Sequence, residues 1–258
     1  MTKNNLTHFL ISLLFIGSST TAFALDIPAK LHWSKRVEMA APVNGIIAEV
    51  NVHIGQRVKK DTVLVKLDMR GYEAAVNKAG AKVANLKEVH LEAKRERDRA
   101  QEMYDRTLLS EHDLQMAKNG YTHALAEYKT AQAELLQAQL DLEYSALRAP
   151  FDAVVVQRSA EPGQTVVSQL KPEVLVVVAA ADQMLARGYI EQDDLNGDMQ
   201  GQSATVVVDG QRYQGKVKHV GLEPAVLDKK GTFYEIEVEF TTGQRTLRAG
   251  QQAKISIK

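Results

Sequence analysis

The chain has 258 residues, 32 of them basic and 32 acidic, so its formal charge is balanced. That balance argues against a dedicated nucleic-acid binder, which normally carries a basic excess. Cysteine is absent, which removes disulfides, thiol nucleophiles, Cys-ligated metals and a Cys-linked lipid anchor together.

In chain order, the first feature is a secretory signal. Lys3 supplies positive charge, Phe9–Gly17 (FLISLLFIG) is a short apolar run, and Ala22-Phe23-Ala24 is a small-x-small cleavage site. Residues 1–24 would be removed, and the mature chain would begin near Leu25. A spanning helix needs roughly 20 apolar residues, about twice this run. The alternative is an uncleaved anchor; either way the folded part is exported. No second hydrophobic run follows.

The next feature occurs twice. Ala41–Asp68 reads APVNGIIAEVNVHIGQRVKKDTVLVKLD, and Ala149–Val167 reads APFDAVVVQRSAEPGQTVV before continuing into Glu173–Ala180. Gly55-Gln56 and Gly163-Gln164 fall at the same distance from their opening alanines. Both copies show β-branched alternation broken by Gly, which fits short strands. Either copy is too short to bury a core alone. Packed together, the two predict one small β sandwich over 25–70 and 145–181.

Between the copies, residues 71–144 contain no Pro. Apolar and small residues recur there at spacings of three and four. The first arm gives Val76, Ala79, Val83, Leu86, His90, Ala93, Arg97, Ala100, Tyr104 and Thr107. The second gives Leu114, Ala117, Tyr121, Ala124, Tyr128, Ala131, Leu135, Ala138 and Leu142. A seven-residue repeat held this long predicts an antiparallel coiled-coil hairpin of about 50 Å at 1.5 Å per residue. Folding at Ser110-Glu111 sets Tyr104 against Ala117, Ala100 against Tyr121, Arg97 against Ala124, Ala93 against Tyr128 and His90 against Ala131. Large meets small at nearly every layer, which permits close approach without voids. His90 and Arg97 on the seam could form a pH switch or a metal site. The expectation is instead that both snorkel past a facing alanine, since no second His sits at ligand spacing.

Residues 182–258 predict a second β region. Ala204–Asp209 and Gln214–Val220 flank the Asp209-Gly210 hairpin turn, and Thr232–Phe240 and Ala253–Lys258 add alternating strands. No nucleophile–base constellation and no phosphate-binding Gly loop occurs, so the chain is not expected to be an enzyme or to hold a cofactor.

The two copies resemble the quasi-symmetric halves of a biotinyl/lipoyl domain, opened at the tip so that a hairpin grows from it. Met-Lys-Met and Asp-Lys-Ala, the acceptor signatures of biotin and lipoate carriers, are missing; the junction reads Lys66-Leu67-Asp68-Met69-Arg70. The order of parts resembles the periplasmic adaptor, or membrane fusion, proteins of tripartite efflux and secretion systems. Leu247-Arg248-Ala249-Gly250-Gln251 resembles the Leu-x-Pro-Gly-Met of the adaptor barrel. The resemblance implies an elongated α+β protein: a lipoyl-like sandwich, a coiled-coil hairpin, then a small barrel. The membrane-proximal domain of larger members is expected to be absent.

That resemblance also implies partners. Adaptors that dock TolC-like outer-membrane channels carry Arg, three residues, Leu, six residues, Ser; here Arg99, Met103 and Ser110 stand at that spacing. Ser110-Glu111-His112-Asp113 is equally a capping pattern for the second helix, and Arg99 could be an ordinary solvated charge. An inner-membrane transporter is implied on the other side. A resistance-nodulation-division (RND) antiporter is the first expectation, a MacB-like ABC exporter the second and a type I secretion exporter the third. Homo-oligomeric rings, commonly hexameric, and a periplasmic location are implied as well.

Overall fold

A computed structural model of the chain describes residues 25–168, 173–195, 197–228, 231–243 and 245–257. The signal sequence expected over 1–24 lies outside them. Strands β1 (Leu25–Trp33), β2 (Arg36–Met39), β3 (Gly45–Val50), β4 (Arg57–Val58) and β5 (Val63–Leu67) precede two long helices, α1 (Arg70–Asp105) and α2 (Glu111–Tyr144). There follow β6 (Ala146–Arg148), β7 (Ala153–Arg158), β8 (Thr165–Val166), β9 (Val176–Ala180), β10 (Gln183–Glu191), β11 (Ser203–Val208), β12 (Gln211–Asp228), β13 (Gly231–Thr241) and β14 (Gln252–Ile257). The chain divides into two compact units. One holds His32–Leu185 and Thr241–Ala249; the other holds Ala186–Phe240, Gly250–Lys258 and the segment ending at Leu31.

The first unit contains two four-stranded sheets, ordered β2-β9-β7-β4 and β6-β5-β3-β8. Each sheet takes strands from both sequence copies, because each copy lends one short strand to the other. β4 pairs with β7 (Arg57 opposite Val154), and β8 pairs with β3 (Gly45 opposite Val166). The Gly-Gln pairs explain the exchange. The Gly55 N–H donates to the Val155 carbonyl (2.8 Å) while the Val155 N–H donates to the Gln56 carbonyl (2.9 Å). In the other copy, Gly163 and Gln164 make the same two bonds to Ile47, at 2.8 and 2.9 Å. Both glycines sit at positive φ, +86° and +89°, a conformation that costs other residues about 1 kcal/mol or more. Each Gln side chain closes its own turn, accepting from the N–H of His53 or of Glu161. Ile47, Leu64, Leu67, Val155, Val166 and Leu175 bury their side chains between the sheets.

The second architecture is a closed barrel in the order β1-β10-β13-β12-β11-β14. Asp209-Gly210 is a two-residue turn with both φ angles positive, the geometry that matches the twist of paired strands. The barrel corrects one boundary. The sequence analysis put Leu25–Trp33 in the sandwich, whereas β1 pairs with β14 from Leu25 opposite Ile257 to Lys30 opposite Gln252. Its alternation is compatible with either place: Ile27, Ala29 and Leu31 are buried while Asp26, Pro28 and Lys30 are exposed. A strand that is apolar on one face joins a wall with water on the other.

Candidate functional site: the helical hairpin and its tip

The hairpin is rooted in the sandwich by backbone bonds. The Leu67 N–H donates to the Ser145 carbonyl (2.8 Å), and the Asp68 N–H donates to the Ile46 carbonyl (2.9 Å). The chain therefore leaves and re-enters the sheet at neighbouring points. Met69, the residue before α1, offers no side-chain cap. Asp68 does that work: its carboxylate accepts the Arg70 backbone N–H at 3.1 Å and the Arg70 guanidinium at 2.6 Å. The Tyr72 hydroxyl donates to the Asn44 carbonyl, and Asn44 Oδ1 accepts the Ser168 N–H at 2.7 Å.

The Arg70 side chain, then its N–H, lowers the Asp68 pKa from 3.8 to about 2. A depressed carboxylate stabilises the fold fully above its ordinary value and loses that contribution as pH falls through the folded value. The root of α1 should thus hold at pH 4 and loosen toward pH 2. Amide exchange at Arg70–Glu73 measured across that window checks it; Asp68→Asn should remove the pH dependence.

Along the seam, Ala100, Leu114, Ala124 and Ala131 are buried. Ala93, Ala117, Tyr121 and Tyr128 are half-buried, whereas Tyr104, near the turn, is 37% exposed. Lys82 and Glu134 form an ion pair between the helices at 2.7 Å. His90 and Arg97 find aromatic partners that the sequence pairing did not assign. His90 stacks on Tyr128 (centroids 5.7 Å apart, planes 6° apart) and leans on Tyr121 at 5.3 Å. The Arg97 guanidinium lies 4.2 Å over the Tyr121 ring. His90 thus lies between Tyr121 and Tyr128, and Lys82 meets Glu134, so the partners in α2 stand several residues nearer its start than the sequence pairing assigned. The cause lies at the turn. Ser110 is already the N-cap of α2, so the connection runs over Arg106–Ser110 rather than centring on Ser110-Glu111.

At the tip, the Leu108 N–H donates to the Met103 carbonyl (2.9 Å) and the Thr107 N–H to the Tyr104 carbonyl (2.8 Å). These two bonds make a Schellman ending, whose left-handed position Thr107 occupies at φ 61°. A β-branched residue is strained there. Thr107→Gly should stabilise the hairpin by about 1 kcal/mol, read from thermal or denaturant melting of the full chain. Ser110 Oγ accepts the Asp113 N–H (3.1 Å) and donates to its carboxylate (2.6 Å).

The three tip residues therefore each have a local setting. Arg99 pairs with Glu96 at 2.7 Å, Ser110 caps α2, and the Met103 side chain is 38% exposed. Sequence reasoning missed Leu108, which is 69% exposed at the apex. Its signal was an apolar residue just past a helix end, where packing on the preceding turn is usual. The apex thus offers Met103 and Leu108 as apolar contacts beside charged flanks. Among the described residues no group of three His, Asp or Glu could hold a metal ion, and no helix is long and apolar enough to cross a membrane.

A sandwich of exchanged strands, a hairpin rooted in it and a six-stranded closed barrel together form the fold of the membrane fusion proteins. The membrane fusion protein Spr0693 from Streptococcus pneumoniae R6 superposes with a TM-score of 0.68 at 17% identity, covering 91% of this chain and 98% of that one. A MacA–MexA chimera carrying the Pseudomonas aeruginosa MexA α-hairpin gives 0.67 at 24% identity, covering 91% and 78%. The chain belongs to the family defined by the CzcB-like barrel-sandwich hybrid domain, which matches residues 35–180. Among curated relatives, the macrolide export protein MacA of Yersinia pestis is 26% identical over 246 residues, or 89% of this chain. The chain spans 66% of that relative's length.

Proposed function

We propose that the protein is the periplasmic adaptor subunit of a tripartite exporter, bridging an inner-membrane transporter to a TolC-like outer-membrane channel. The observation that carries this reading is the exposed apex of a hairpin whose two ends are bonded into one sheet. Such a device performs no bond chemistry; it sets reach and presents a contact surface. In this reading the sandwich is lipoyl-like without carrying lipoate or biotin, and the hairpin is a coiled coil. Copies assemble into a homo-oligomeric ring, with six the expected number. The N-terminal signal exports the chain. Arg99, Met103 and Ser110 form the channel-facing set, with Leu108 added to it. Met103 and Leu108 supply apolar packing, and Arg99 can turn from Glu96 to a carboxylate or carbonyl of the channel.

Two transporter classes remain in this reading. The relatives named macrolide export protein MacA favour the ABC, MacB-like partner. The RND-type antiporter stands second.

The test is cross-linking in cells from Met103→Cys, the only thiol in an otherwise Cys-free chain, with identification of the captured protein. Capture of an outer-membrane channel is expected. Export that stays intact in Ser110→Asp, which keeps the cap, would remove Ser110 from the docking set. Capture of periplasmic proteins alone would sink the adaptor reading.

A further inference from the structure

We propose that Tyr72 is a positioning residue: by tying α1 to Asn44 it fixes the lean of the rod on its sandwich, and with it the place of Met103 and Leu108. The root alone leaves that lean open. The chain enters the rod through Asp68 and leaves it through Ser145, at the ends of β5 and β6, which are neighbours in the sheet. Two crossings one strand spacing apart, about 5 Å, make a narrow base. The backbone bonds at the root hold Leu67 and Asp68, which lie before the helix starts. Met69 follows them without a side-chain cap, so α1 can pivot there.

Tyr72, in the first turn of α1, reaches across to the other half of the sheet. Its hydroxyl donates to the Asn44 carbonyl, just before β3. Asn44 is itself held: its Oδ1 accepts the Ser168 N–H at 2.7 Å and the Ser168 hydroxyl at 3.0 Å, just past β8. The sheet order is β6-β5-β3-β8, so the base of the rod widens from two strands to all four, about 15 Å. The Asn44 loop gives a firm hold. A Cβ on Gly45 would stand 3.3 Å from Leu67 Cδ1, so the loop lies tight on the last residue of β5. Burial, then the charge of Asp141, raises the Tyr72 pKa, which keeps the phenol protonated as a donor. Among the described residues, no other helix side chain beyond Arg70 hydrogen-bonds to the sandwich.

A small error at this base is large at the apex. Over a rod of about 50 Å, a lean of about 10° moves the tip by roughly 9 Å, close to the width of a helix. Apolar contacts act only at close range, so Met103 and Leu108 would miss a partner held in place. That consequence for docking rests on the adaptor reading; the lean itself does not.

The absence of native cysteine makes a direct test possible. Spin labels are placed in the full chain at Glu88→Cys on α1 and Thr165→Cys on β8, both exposed positions. The distribution of distances between them, from pulsed dipolar spectroscopy, reports the lean. Tyr72→Phe keeps the ring and removes the bond, and it should at least double the width of that distribution. Asn44→Ala, which frees the loop from Ser168, should broaden it as well. Tyr144→Phe makes the same change at the end of α2, where the ring is 44% exposed, and should leave the width as in the parent. A merely structural role for Tyr72 would lower the melting temperature and leave the width alone. An unchanged width in Tyr72→Phe overturns the proposal. In cells, capture through Met103→Cys should fall several-fold when Tyr72→Phe is added at equal protein level; equal capture would refute the part of Tyr72 in placing the tip. If the parent Met103→Cys captures no channel, the adaptor reading fails, and the widths still decide whether Tyr72 holds the rod.

Discussion

Ala131→Asp should unzip the middle of the hairpin while leaving both β units folded. Ala131 has no exposed surface, and its small side chain is what lets α1 and α2 approach there. A carboxylate at that position must either lose its hydration or push the helices apart. The loss should be on the order of 3 kcal/mol or more. It should appear as collapsed amide protection through α1 and α2 with unchanged protection in β11–β14. Ala133→Asp, two residues on and exposed, should stay within about 0.5 kcal/mol of the parent. In cells, the first variant should abolish export and the second should not. Equal behaviour of the two would mean that the helices do not depend on their seam.

Removing the rod altogether should leave a folded sandwich. Lys66 pairs with Ala146 and Val65 with Leu147, and the Leu67 N–H already bonds to the Ser145 carbonyl. Replacing Asp68–Tyr144 by Asn-Gly therefore asks β5 and β6 only to become a two-residue hairpin, the loop that Asn-Gly suits best. The shortened chain should be soluble, lack the helical circular dichroism signal and melt cooperatively. It should also lose all capture of an outer-membrane partner. Failure to fold would show that the helices, rather than the exchanged strands, hold the two sequence copies together.

Much of the architecture was legible because it is written in short-range patterns. Alternation marks the strands, the Asp209-Gly210 pair specifies a hairpin turn, and the three-and-four spacing marks both helices. The likeness of Ala41–Ile47 to Ala149–Val155 pointed to a shared sandwich, since neither piece could bury Ile47 or Val155 alone. What the pattern could not give was alignment between elements. The pairing of α1 with α2 came out several residues off, as Lys82 against Glu134 shows, because layers of alanine accept more than one choice. The Ser110 cap itself was legible from the Ser110-Glu111-His112-Asp113 pattern, but it does not say how the two helices align. Leu25–Trp33 went to the wrong sheet because a strand's alternation says that it is half-buried, never against which neighbour. The tip was legible only as a spacing; the exposure of Leu108 and the left-handed Thr107 emerge from the three-dimensional turn.

The exchange of strands between the two copies has a consequence for the order of events during folding. While the chain is still being synthesised, the first copy lacks Val155 and the rest of its sheet partners, so it has nothing to close against. The intervening helices meet through contacts near each other in sequence, which form fast. Once zipped, they bring Leu67 and Ser145 together and spare most of the entropy that closing so long a loop would otherwise require. The rod thereby acts as an internal assembly jig, and slowing its zipping should delay sandwich closure in proportion.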